Sequence, residues 1–207
     1  NRKALRNENH WLDWLDKKPF TTLFVCGNHE NFDRLSGFPV ENRYGGSVHV
    51  IRPSILHLMR GETFHIDGKN VFAFGGASSH DISDGILPRE NWKEEARKLD
   101  RQGKYMYRID GLSWWKEELP SDEEMQNGLA NLANAENHID FIITHSPPAS
   151  VIALLGFGSY KQDVLTNYLE EIRCTTDYQY WFMGHMHMNK RFTVKDFLLY
   201  EQIVRVV

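Results

Sequence analysis

Three short stretches of the 207-residue chain carry side chains able to grip a metal or a phosphate: Gly27-Asn28-His29-Glu30, Thr144-His145-Ser146-Pro147-Pro148 and Gly184-His185-Met186-His187. In the last, alternate residues of an extended chain would project to one side, aiming His185 and His187 at one point while Met186 and Met188 face away. A lone His-x-His is more often a solvated turn or a pair of satisfied surface histidines, so the pair by itself proves little. Its setting recurs, however, because each stretch follows an apolar run, "LFVC", "FIIT" or "YWFM". Three such strands side by side would deliver Asn28, His29, His145, His185 and His187 to one edge of one sheet, where open α/β folds hold ligands. The amide oxygen of Asn28 and neutral imidazoles of His145, His185 and His187 suit manganese, iron, zinc or nickel. With no thiolate among them, the set reads as an open catalytic site and not as a closed structural zinc. A core role fits these histidines poorly, since each sits beside residues that force a loop.

Periodicity supplies the elements that would position these loops. "ENHWLDWLDKKP" puts Trp11, Leu12 and Leu15 on one helical face and stops at Pro19. Leu23 to Cys26 reads as a strand buried on both faces and broken by Gly27. "ETFHIDGKNVFAFGG" alternates around Asp67-Gly68, the signal of a tight antiparallel hairpin. Residues 89–101 are charged and helical in composition, Ser121 to Glu124 fits a capping box, and a helix is expected over 163–173. "RFTV", "FLLY" and "QIVRVV" read as short closing strands. Strands mixed with helices and hairpins predict an α/β or α+β sandwich.

Composition sets the outer bounds. The length suits one domain over residues 1–207, and 41% apolar with 25% charged residues is the balance of a globular protein. A net charge of −4 with scattered lysines and arginines offers no basic stripe, which argues against a nucleic-acid binder and against a nuclease groove. The apolar runs fall far short of the roughly 20 residues that cross a bilayer, and no signal peptide is visible, so no membrane association is expected and a cytoplasmic location is. Oligomeric state is left open. Cys26 and Cys174 lack metal-ligand spacing and read as reduced core thiols; His10, His49, His57, His65 and His138 are assigned to surface or strand packing.

In order along the chain, "GNHE", "THSPP" and "GHMH" resemble the motifs of the calcineurin-like metallophosphoesterases, and the likeness extends over nearly the whole sequence. "GGASSHDISDGIL" and "SWWKEELPS" resemble a bacterial and phage branch of small members. The resemblance implies a two-sheet β-sandwich flanked by helices, with two divalent metal ions, manganese first and iron, zinc or nickel as alternatives, bridged by an aspartate and a hydroxide. It implies hydrolysis of a small-molecule phosphoester by in-line attack of the metal-bound hydroxide, with monoesters, diesters and dinucleoside polyphosphates all admissible. By position in the motifs, Asn28, His145 and His185 would bind one ion and His187 the other. His29 would sit over the phosphate, stabilising charge or protonating the leaving oxygen, and Glu30 either orients it or is an exposed loop residue. His80 and Asp81 are candidates for the substrate rim, against a polar loop closing on itself.

Two motifs of that family, an Asp-x-His and a Gly-Asp supplying the bridging carboxylate, would precede "GNHE". No Asp-x-His occurs in the sequence and no glycine is followed by aspartate. The expectation is therefore an N-terminally truncated domain lacking its first strand, weak or inactive alone. The alternative is a catalytically degenerate scaffold or protein-binding member, against which the retention of His29 speaks.

Overall fold

The computed structural model describes residues 2–156 and 161–206. Helix α1 (Arg2–Asp16) leads into β1 (Thr22–Phe24), the short α2 (Phe32–Leu35), and strands β2 (Val40–Arg43), β3 (Gly46–Arg52), β4 (Ile55–Leu58), β5 (Glu62–Ile66) and β6 (Lys69–Phe74). A long excursion follows, holding β7 (Gly85–Leu87), α3 (Trp92–Asp100), β8 (Tyr107–Ile109) and a 3-10 turn at Lys116–Glu118. The chain then runs through α4 (Asp122–Asn134), β9 (His138–Thr144), α5 (Ala149–Gly156), α6 (Val164–Thr175), β10 (Asp177–Met183), β11 (Lys190–Arg191) and β12 (Asp196–Leu198).

Two sheets form the sandwich: a four-stranded one ordered β1-β4-β3-β2 and a six-stranded one ordered β11-β12-β10-β9-β6-β5. The apolar runs are continuous because the large sheet is buried on both faces. Phe72 and Phe74 of β6, Ile142 of β9, and Trp181 and Met183 of β10 face Leu132, Leu165, Leu169 and Ile172 of the helices. Their alternates Val71, Ala73, Phe141 and Phe182 face Val48, Leu56 and Leu58 of the small sheet. On that sheet's outer side Leu12 and Leu15 of α1 and Phe32 and Leu35 of α2 join Ile51 and Ile55. The layers are thus helix, sheet, sheet, helix, which is the sandwich flanked by helices that the sequence predicts. No helix among the described residues is long and apolar enough to cross a membrane.

Local chemistry explains the element ends. The β5–β6 hairpin turns on Asp67 and Gly68, both at positive φ (49° and 75°), as a primed two-residue turn requires. Ser121 and Glu124 close the expected capping box, and Asp163 caps α6. Several expectations are corrected. Trp11 is 62% exposed, because α1 meets the sheet through Leu12 and Leu15 and both of its tryptophans, Trp11 and Trp14, face solvent. Residues 201–206 form no strand and Ile203 is fully exposed, with Val207 outside the described residues. Cys26 is buried as expected, but Cys174, in the last turn of α6, is exposed.

Candidate functional site

The three histidine-bearing loops do come together, although not along one sheet. β1 pairs in parallel with β4 in the small sheet, while β9 and β10 are parallel neighbours in the large one. The loops meet at the seam between the sheets, and small residues permit it. Gly76 N–H donates to the Cys26 carbonyl at 2.7 Å, and a Cβ on Gly75 would lie 2.6 Å from that same oxygen. A Cβ on Gly27 would lie 3.1 Å from both Cε1 and Nε2 of His145. Gly27 therefore does more than end a strand: it lets the His145 ring rest against the β1 loop.

His145 is held from below. Trp181, fully buried, donates its indole N–H to Thr144 Oγ1 at 2.9 Å, and the Thr144 hydroxyl donates to the Ser146 carbonyl at 2.7 Å. Gly184 N–H donates to the His145 carbonyl at 2.9 Å, tying the end of β10 to the end of β9. Each such bond contributes about 1 kcal/mol net, and together they fix the loop rather than leave it to fray.

The His-x-His stretch is a turn and not an extended strand. Gly184 ends the ladder, Met186 N–H bonds back to the Gly184 carbonyl at 2.8 Å, and His185 and His187 both take left-handed backbone, φ 66° and 48°. Such conformations in non-glycine residues cost on the order of 1–3 kcal/mol each and concentrate at functional sites. The His185 ring lies 5.2 Å from that of His145, while His187 stacks on Tyr200 at 4.9 Å.

Electrostatics ties the cluster together. Burial first, then His185, His29 and His187, pushes His145 down to about 4. Burial, followed by His80, His187 and His29, pushes His185 down to about 4 as well. Both are thus neutral imidazoles near neutral pH, the form that ligates a metal. Asn28 is 3% exposed and His29 beside it is exposed. Glu30 Oε1 accepts from Gly27 N–H at 3.2 Å, so this carboxylate staples its own loop.

His80 sits 6.1 Å ring to ring from His185, at a cleft of about 480 Å³ that Ser78, Ser83 and Lys161 also line. Asp81 is committed to an ion pair with Arg108, reinforcing the β7–β8 excursion. Among the remaining histidines, His49 and His57 pair across β3 and β4. Two residues beneath Asn28 escape a reading of the sequence: Ser79, whose Oγ accepts from Asn28 Nδ2 at 3.2 Å, and buried Glu118, whose Oε2 accepts from Ser79 N–H at 3.1 Å. Both lie in stretches that carry the family resemblance, "GGASSHDISDGIL" and "SWWKEELPS", but nothing in either stretch assigns them a partner, and only the folded excursion brings residue 118 to residue 28.

The donor chemistry of Asn28, His145 and His185 fits one borderline divalent ion: an amide oxygen with two neutral, half-buried imidazoles. It does not extend to a bridged pair. Among the described residues no carboxylate hydrogen-bonds to His29, His145, His185 or His187, and no three His, Cys, Asp or Glu side chains are drawn together as a ready metal cage.

The sequence model of the calcineurin-like phosphoesterases matches residues 1–189. This chain belongs to the calcineurin-like phosphoesterase family. Neither a curated relative nor a solved structure matched it significantly. Members of this family hydrolyse phosphoesters and in general use two divalent metals. This family member has a two-sheet sandwich flanked by helices, with three of its loops gathered at the seam between the two sheets.

Proposed function

We propose that the protein is a metal-dependent phosphoesterase acting on a small-molecule phosphate ester at the cluster of Asn28, His29, His145, His185 and His187. The observation that carries this reading is the pair of neutral imidazoles, His145 and His185, packed against Gly27 beside the buried Asn28. Asn28, His145 and His185 would hold one divalent ion, manganese or else iron, zinc or nickel, and His187 alone would be left for a second. When bound, such an ion offsets the charge of the phosphate oxygens and acidifies water. His29, exposed and electrostatically close to both His145 and His185, delivers a proton to the leaving oxygen. His80 borders the cleft that receives the leaving group, and Thr144, Trp181 and Gly184 keep the ligand loops in register. Turnover by this chain alone is slow, because among the described residues no carboxylate hydrogen-bonds to the histidines.

That same lack favours a second reading, a degenerate member that binds a protein partner and performs no hydrolysis. Calorimetric titration of metal-stripped protein with Mn²⁺ separates the two. The enzyme reading expects binding that His145→Ala or His185→Ala weakens by at least about 10-fold; an absence of Mn²⁺, Fe²⁺, Zn²⁺ and Ni²⁺ binding would leave only the scaffold.

A further inference from the structure

An asparagine can serve a cation only when its carboxamide points the right way. The oxygen is an acceptor and the NH₂ group carries two donors, so a free side chain in a metal site presents the wrong end as readily as the right one. Asn28 is not free. Its Nδ2 donates to Ser79 Oγ at 3.2 Å, which commits the nitrogen to that side and leaves Oδ1 for the other. Ser79 is 4% exposed and is itself held, its backbone N–H donating to Glu118 Oε2 at 3.1 Å.

Glu118 is anchored in turn. It is 2% exposed and lies in the 3-10 turn whose backbone carbonyls receive the Arg60 guanidinium: Glu117 O at 2.6 Å and Glu118 O at 3.3 Å. Arg60 also donates to the Gly75 carbonyl at 3.0 Å and to Glu124 at 3.1 Å, so the arrangement is braced from β6, the excursion and α4 at once. The other oxygen of Glu118, Oε1, is buried with no hydrogen-bond partner. A buried acceptor left unsatisfied is unfavourable, and its persistence in a native fold calls for an explanation. Holding Ser79 in place supplies one.

We propose that Ser79 and Glu118 are positioning residues that lock the Asn28 carboxamide with its oxygen toward the histidines, and that they thereby set the affinity of the site for a divalent cation. The proposal rests on Asn28 being a ligand, as argued above. It yields a signature that a merely structural role does not. A carboxylate has two equivalent oxygens, so in an Asn28→Asp protein orientation no longer matters and Ser79 becomes dispensable.

The test is calorimetric titration of the metal-stripped chain with Co²⁺. Ser79→Ala should weaken binding about 10-fold, within the range seen when partners of metal ligands are removed, while Ser79→Thr, which keeps the hydroxyl, should restore it. In the Asn28→Asp background the same Ser79→Ala change should shift affinity by no more than about twofold, the scatter of independent sites. Glu118→Gln, which keeps an oxygen acceptor for Ser79 N–H, should bind as wild type and Glu118→Leu should not, a pair that reads the same relay if Ser79→Ala fails to fold. Wild-type affinity in both Ser79→Ala and Glu118→Leu, or an equal loss from Ser79→Ala in both backgrounds, would overturn the proposal alone, provided His145→Ala weakens Co²⁺ binding. If Asn28→Ala binds Co²⁺ as wild type does, the ligand assignment falls and the proposal with it.

Discussion

Asn28 and His29 are neighbours in the chain with opposite surroundings. Asn28 is buried and hydrogen-bonded to Ser79, whereas His29 is exposed and interacts electrostatically with the imidazoles of His145 and His185. The proposed tasks match this difference, coordination for the first and proton delivery for the second. Glu30, bonded to Gly27 N–H, shapes the loop that presents both. General acid catalysis is typically worth about 10²–10⁴-fold, roughly 3–5 kcal/mol of barrier, and is needed most when the leaving oxygen is basic. His29→Ala should therefore slow hydrolysis of an alkyl phosphate by about that factor, slow a nitrophenyl ester far less, and leave metal content unchanged. Paired rate and elemental measurements check this. Loss of metal, or an equal loss on both esters, would reassign His29 to coordination or to holding the phosphate.

At the scale of elements, the strands could be read from the sequence because burial on both faces leaves a continuous apolar signature, as in "FIIT" and "YWFM". Their partners could not be, because an apolar run does not say which sheet it joins: β1 went to the small sheet and β9 and β10 to the large one. The histidine turn was misread for a related reason. Alternation at His185 and His187 matches a strand, but Gly184 had already ended the ladder and both histidines adopt left-handed backbone. The roles of Ser79 and Glu118 were not legible, although both lie in stretches that carry the family resemblance, because their contacts span 51 and 39 residues of chain. The pairing of β3 with β4 carries a prediction of its own. His49 and His57 face each other with Nδ1 atoms 3.0 Å apart, and His57 Nε2 is buried without a partner. Burial, then His49 and Arg60, pushes His57 down to about 3 from an ordinary value of 6.5. Between those values the unfolded chain takes up a proton that the folded chain refuses. Stability from this group is thus complete above pH 6.5 and is lost as pH falls toward 3, at up to about 1.4 kcal/mol per pH unit. Urea denaturation of wild type and His57→Phe between pH 6 and 4 should show a shallower pH slope in the variant; parallel slopes would refute the assignment.

For the whole molecule, the seam between the two sheets is the organising feature. A sandwich with helices on both outer faces leaves its loops as the place where buried polar groups gather; Gly75 and Gly76 let backbones approach closely there, and Gly27 makes room for the His145 ring. The net charge of −4 and a cleft beside His80 lined, among the described residues, by one lysine, Lys161, suit a small phosphoester better than a polyanion. Family membership establishes phosphoester hydrolysis as the general activity, and what this chain adds is a cluster rich in imidazole and poor in carboxylate. The most direct measurement is the rate of nitrophenyl phosphate hydrolysis by the wild-type chain and by His145→Ala, each with added Mn²⁺ and with a chelator. The account predicts slow product release by the wild type that appears with Mn²⁺, vanishes with chelator and falls by at least about 10-fold in the variant. Release that ignores the chelator, that is equal in the two proteins, or that never appears with Mn²⁺ would contradict it.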